Sequence, residues 1–166
     1  QITCSAPSQA IEGSVRAIVK FYPSCFSQVV EGLDAIFERP HGCFEQTSST
    51  TYPNVLALDY LRRSHRNLPA VEAKARQYLQ LGYQRLLSFE RPGGGFDWFG
   101  TAPANRLLTA YGLMEFRDMA RVYDVDPQLI ERTRRWLLDR RRADGSWDPE
   151  GHMIQDGLAA RAGRLE

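Results

Sequence analysis

Cys43 and Gln46 are the two side chains in this sequence best suited to do chemistry together. One supplies a thiol and the other a carboxamide, three positions further on. They follow Gly42 at what reads as the turn into a helix. Residues at i and i+3 share a helix face, so sulfur and amide carbon can meet there. If the sulfur displaces the amide nitrogen, ammonia leaves and a small ring closes through a thioester. An inert amide becomes an activated acyl group, because thiolate leaves far more readily than an amine. Gly42 has no Cβ and permits close backbone approach. The first-turn N–H groups of the helix can stabilise a departing sulfur anion and the oxyanion at Gln46. Glu45 is expected to cap or orient the turn rather than to react. The plain alternative is a buried structural cysteine at a helix start, and residue type alone favours it, since free cysteine is commonly buried.

A pair of this kind needs a rigid frame. Residues 1–13 are small and polar, with Pro7 and Gly13, and read as a linker. Ser14 to Tyr22 alternates Val15, Ala17, Val19 and Phe21 against Arg16 and Lys20, which predicts a half-buried strand. Pro23-Ser24 breaks it. Beyond, the pattern is helical. Phe26, Val29, Val30, Leu33, Ile36 and Phe37 recur at helical spacing until Arg39-Pro40-His41-Gly42. A second helix is predicted from about Glu45 to Arg63, with Pro53 as a kink or break near its first turns. A third follows Asn67-Leu68-Pro69 and carries Val71, Ala75, Tyr78, Leu79, Gly82, Tyr83, Leu86 and Leu87 on one stripe. A fourth should span about Pro103 to Tyr123, with Leu107, Leu108, Tyr111, Met114 and Phe116 as core positions. A fifth starts at Asp126-Pro127, a good cap followed by proline at the first helical position. It ends in Arg140-Arg141-Arg142, read as a solvated helix end that complements the dipole.

Composition narrows the function classes. The formal net charge is +1, which argues against a dedicated nucleic-acid surface. No apolar run approaches the roughly 20 residues that span a bilayer, and no charged segment followed by an apolar core reads as a signal peptide. The three cysteines, Cys4, Cys25 and Cys43, are an odd number, so one pair would leave a thiol over. No Cys/His cluster has zinc-ligand spacing, and neither metal nor cofactor is expected. Only Lys20 and Lys74 are lysine among 21 basic residues. Genomic base composition explains that simply; protection of a reactive acyl group from nearby amines is the sharper reading.

Two turns resemble each other. Gly94-Gly95-Phe96-Asp97-Trp98 follows the third helix, and Asp144-Gly145-Ser146-Trp147-Asp148 follows the fifth. Gly95 and Gly145 are 50 residues apart with a helix pair between them, a period that suggests an array of helical hairpins. These turns resemble those of α/α-toroids, the fold shared by terpene cyclases, protein prenyltransferases and the complement thioester domain. A terpene cyclase would need an Asp-rich acidic motif, and none is visible.

The segment Pro40-His41-Gly42-Cys43-Phe44-Glu45-Gln46-Thr47 chooses among them. It resembles the Gly-Cys-x-Glu-Gln thioester motif of alpha-2-macroglobulins and complement proteins. Thr47 to Val55 is similar to its continuation in bacterial macroglobulins. The likeness continues through Asp59-Tyr60-Leu61, Gly82-Tyr83, Leu108-Thr109-Ala110-Tyr111 and Trp136-Leu137, over about residues 14–155. Phe44 departs from the glycine of many members, which would alter local packing more than it threatens the bond. The resemblance implies a mostly α chain: residues 1–22 as linker and final strand of a preceding β-domain, and 23–166 as the N-terminal half of a thioester α/α-toroid. It implies a single-use protease trap, not an enzyme. Proteases would be captured covalently through their lysine amines, other macroglobulin domains of a parent chain would be partners, and an incomplete ring would self-associate. The location would be the bacterial periplasm or cell envelope, otherwise extracellular. In complement proteins a histidine on a later helix attacks the thioester and passes the acyl group to hydroxyls. Aligning the Asp144-Gly145 turn places Gln155 at that position, with His152 one helical turn earlier as a lesser candidate. Gln155 would imply amines as direct targets; a positioned His152 would favour a complement-like protein that labels surfaces. A structural toroid without an active thioester would lack Cys43 or Gln46. His41 reads as a loop residue and His65 as a solvated turn.

Overall fold

A computed structural model describes residues 7–11, 13–22, 28, 32, 36–65 and 67–148. The chain divides into two compact units, Gln1–Gly32 and Leu33–Glu166. In the first, a turn closes where Ser14 donates from its N–H (3.0 Å) and its Oγ (2.6 Å) to the Ile11 carbonyl. Residues 14–22 run on without secondary structure, and Val15, Ile18, Val19 and Phe21 are exposed. The strand expected there is therefore not formed. A strand needs a neighbour to take its N–H and C=O groups, and no described residue pairs with this segment in a ladder. Gln28, Gly32 and Ile36 are helical, as expected for the first apolar repeat; Phe26, Val29, Val30 and Leu33 lie outside the described residues.

The second unit holds four described helices: α1 (Phe44–Arg63), α2 (Pro69–Leu87), α3 (Arg106–Met119) and α4 (Pro127–Leu138). Each start has a local cause. Pro69 and Pro127 occupy first-turn positions, where a missing N–H costs nothing. Asn105 accepts from the Leu108 N–H (3.0 Å) and Asp126 from the Gln128 N–H (2.9 Å), satisfying donors that the helix leaves open. Pro53 lies within α1 without ending it.

Side-chain contacts set the directions. Gly82 of α2 sits against Thr51, and Arg85 reaches Thr47, so α2 runs antiparallel to α1. A Cβ on Gly82 would stand 2.0 Å from Thr51 Oγ1, so the two helices meet more closely than any larger residue allows. Phe44 touches Gly112, Tyr52 donates to Asp118 (2.5 Å), and Arg62 bonds the Arg121 carbonyl. α3 therefore runs parallel to α1. This alternation is that of an α/α-toroid, and the fold is mostly α as expected. No described helix is long and apolar enough to cross a membrane.

The core centres on Phe44, Phe89, Phe96, Phe116 and Tyr83. Phe96 stands 5.3 Å from Phe44 and 5.4 Å from Phe116, between ring centroids. Leu79, Tyr83, Leu86 and Ala75 fill the α2 stripe as the periodicity required. On α3, Leu108 and Phe116 are buried, but Leu107 and Met114 are about half exposed. They were expected in the core; the helix buries only its face toward α1 and α4.

The Gly94 turn is held by charge and by space. Arg132 grips both Glu90 carboxylate oxygens, at 2.5 and 2.9 Å. Gly94 has φ +100, and a Cβ there would lie 2.7 Å from the Arg132 carbonyl. In the second turn Trp147 donates to the Leu137 carbonyl at 3.0 Å. Two of the arginines expected to be merely solvated make contacts: Arg140 covers the Trp136 ring of α4 at 3.8 Å, and Arg141 holds this turn by donating to the Gly145 carbonyl at 3.1 Å.

Candidate functional site

Cys43 is the N-cap of α1, with extended backbone, and Gln46 is its third helical residue. The two form a reciprocal cap. Gln46 Oε1 accepts from the Cys43 N–H at 3.1 Å, while the Cys43 side chain faces the Gln46 N–H. This is the arrangement of a capping box, with a thiol in place of the usual hydroxyl. It brings the thiol and the carboxamide to one turn. Cys43 is partly exposed and in no disulfide, which departs from the buried structural cysteine of the plain reading.

Gly42 makes this possible. Its φ is +74, a left-handed conformation that suits glycine. The Gln46 carboxamide lies across the space a side chain would need: a Cβ would stand 1.9 Å from Oε1 and 2.7 Å from Cδ. Glu45 was expected to cap or orient the turn. The structure gives the cap to Gln46; Glu45 is exposed in the first turn, where its charge suits the helix dipole.

The turn is anchored from three sides. The Phe44 N–H donates to the Trp98 carbonyl at 2.9 Å. Trp98 in turn follows Asp97, a buried carboxylate whose Oδ2 accepts from the N–H groups of Phe99, Thr101 and Ala102 at 3.1–3.2 Å. Burial alone would raise the Asp97 pKa, but these backbone donors outweigh it and hold it below the usual carboxylate range. The Phe44 ring is fully buried between Phe89, Phe96 and Gly112, so one of the two residues between Cys43 and Gln46 is a deep anchor. On the third side Arg85 donates to the Gly42 carbonyl (2.6 and 3.1 Å) and to Thr47 Oγ1 (3.2 Å). The Thr47 hydroxyl itself donates to the His41 carbonyl at 3.0 Å.

A buried acid lies one turn along the same seam. Glu115 of α3 is fully buried, and burial pushes its carboxyl up to about 8; the Ser48 hydroxyl, facing it without a well-formed hydrogen bond, pulls the other way. His41 is exposed and pairs with Glu38 at 3.2 Å, and His65 is exposed in the turn after α1, as expected of both. His152 and Gln155, with Cys4 and Cys25, lie outside the described residues.

The sequence did not single out Arg85, Thr47 or Asp97. Arg85 is 43 residues from the carbonyl it holds, and nothing local signals that contact. Asp97 had a weak signal, an aspartate just after a glycine turn, where side-chain capping of backbone N–H groups is frequent.

The A-macroglobulin TED domain family model matches residues 15–164. The chain belongs to that family. This TED-domain chain is 26% identical over 159 residues to ovostatin of Gallus gallus, covering 95% of the chain and 11% of that protein. It is 25% identical over 168 residues to alpha-2-macroglobulin-like protein 1 of Mus musculus, with 100% and 12% covered. It is 26% identical over 155 residues to thioester-containing protein 1 of Anopheles gambiae, with 90% and 12% covered. Among solved structures, a mutant Salmonella alpha-2-macroglobulin superposes with a TM-score of 0.54 at 27% identity, covering 70% of this chain and 8% of that one. Native Escherichia coli alpha-2-macroglobulin gives 0.52 at 27%, covering 77% and 8%. The chain thus spans about a tenth of the length of the curated relatives it matches.

Proposed function

We propose that this TED domain carries an internal Cys43–Gln46 thioester and that the protein containing it captures proteases covalently. The observation behind this reading is the Gln46 carboxamide lying over Gly42 with its oxygen on the Cys43 N–H. The family and its thioester-containing relative support the same chemistry. In ring closure Sγ bonds to Cδ, the Cδ–Nε2 bond breaks, the thiol proton passes to the leaving nitrogen, and ammonia departs. A primary amine then reverses the activation: its nitrogen bonds to Cδ, Sγ leaves with one amine proton, and a stable amide remains. Each molecule acts once, so the protein is an inhibitor and not an enzyme. Its place of action is the bacterial envelope or the space outside the cell, and its partners are proteases and neighbouring macroglobulin domains. The test is an intact mass of the full-length protein before and after methylamine. A chain lighter by one ammonia that gains one methylamine and one titratable thiol supports the thioester. A chain of full mass that takes up no methylamine refutes it.

A further inference from the structure

Arg85 ties both ends of the reactive turn to α2. Its guanidinium meets the carbonyl just before Cys43 and the hydroxyl just after Gln46. A peptide group is planar and trans, so its C=O and N–H point in opposite directions. Holding the Gly42 oxygen toward Arg85 turns the Cys43 N–H away from it, and that N–H is the group 3.1 Å from Gln46 Oε1. A cation on an amide oxygen also draws charge from the nitrogen and strengthens the N–H as a donor, as linked hydrogen bonds polarise one another.

We infer that Arg85 is a positioning residue for the Cys43–Gln46 chemistry, orienting the Gly42–Cys43 peptide so that its N–H polarises the Gln46 acyl oxygen. The inference rests on the thioester reading. When Sγ attacks Cδ, negative charge gathers on Oε1, and the Cys43 N–H faces it. When an amine opens the thioester, charge gathers on the same oxygen before the same donor. Loss of an oxyanion donor slows such reactions about 10²–10³-fold. Removing Arg85 leaves the donor but frees its direction, so a smaller effect, about tenfold, is expected. Arg85 is suited to this because its planar fork spans two acceptors at once. Lysine has a single ammonium group and can meet the Gly42 oxygen without bridging to Thr47.

The competing account is that Arg85 merely fastens α2 to the start of α1. That account lowers the melting temperature of an Arg85 variant and changes nothing else. The test compares wild type, Arg85→Ala and Arg85→Lys in the full-length protein. Three quantities are read: melting temperature, thiol released per chain by methylamine, and the rate of that release. Arg85→Ala is expected to release thiol about tenfold more slowly, or to hold a tenth or less of the thioester, with methylguanidinium at millimolar concentration restoring part of the loss. Arg85→Lys is expected to fall between. Equal thioester content and equal rates, with only the melting temperature lowered, overturn the inference. Should Arg85→Ala fail to fold, Arg85→Lys decides alone, and a wild-type rate in it is the overturning result. A wild-type protein that takes up no methylamine removes the thioester reading itself; normal uptake with unaltered Arg85 variants removes only the role of Arg85.

Discussion

Gln46 lies across Gly42 so closely that a single added carbon on Gly42 would overlap its carboxamide oxygen, 1.9 Å away. The Gln46 carboxamide is thus seated on a glycine surface, and the two positions form one unit. Gly42→Ala meets two penalties: about 1–2 kcal/mol for a left-handed alanine, and displacement of Gln46 from its seat. We expect Gly42→Ala to fold with a slightly lowered melting temperature and to take up little methylamine. Full uptake would show that the Gln46 position seen here is not the reactive one.

Cys43→Ala in the full-length protein should abolish covalent protease conjugates on denaturing gels, while non-covalent trapping survives. Conjugates that persist in this variant would place the reactive group elsewhere.

Amines should be preferred to hydroxyls. The sequence alignment would put Gln155 at the position of the complement proteins' attacking histidine, and on that reading no acyl-imidazole route to hydroxyls is expected. Methylamine and glycerol compete at equal concentration, and adducts are weighed by mass. Comparable glycerol ester would shift the assignment to His152.

Glu115 gives a pH signature. Its folded pKa is raised to about 8, against 4.5 for the ordinary carboxyl. The fold keeps the acid neutral, whereas the unfolded chain ionises it above 4.5. Stability should therefore be greatest below about pH 4.5 with respect to this group, fall as pH rises, and level off above about 8, by several kcal/mol in all. Thermal melts of wild type and Glu115→Gln between pH 5 and 8 measure this. The variant should lose most of the slope; identical slopes would mean that Glu115 is compensated by a charge not seen here.

The helices were legible because their signals are local. Asp126-Pro127 announced α4, and the Val71-to-Leu87 stripe announced α2, whose face is indeed inward. The Cys43–Gln46 pair was legible for the same reason, since three residues of spacing at a helix start leave little freedom. The alternation at Ser14–Tyr22 misled because a strand is a property of two segments, and one alone reveals only its preference. Leu107 and Met114 misled because apolar residues also line faces that the described neighbouring helices do not cover. Arg85 and Asp97 were hidden for a further reason: their partners are backbone groups, whose location no side-chain pattern encodes.

The parallel course of α1 and α3 has an electrical consequence. Their amino ends point the same way, but α2 runs against them and brings its carboxyl end to the rim that bears Cys43, so the α1 dipole and the Arg85 charge are opposed there by the α2 dipole and the Glu45 carboxylate. With both signs of charge on one edge, the proposed attack by amines should quicken with alkalinity as amine ionisation in free solution dictates, and added salt should change it little.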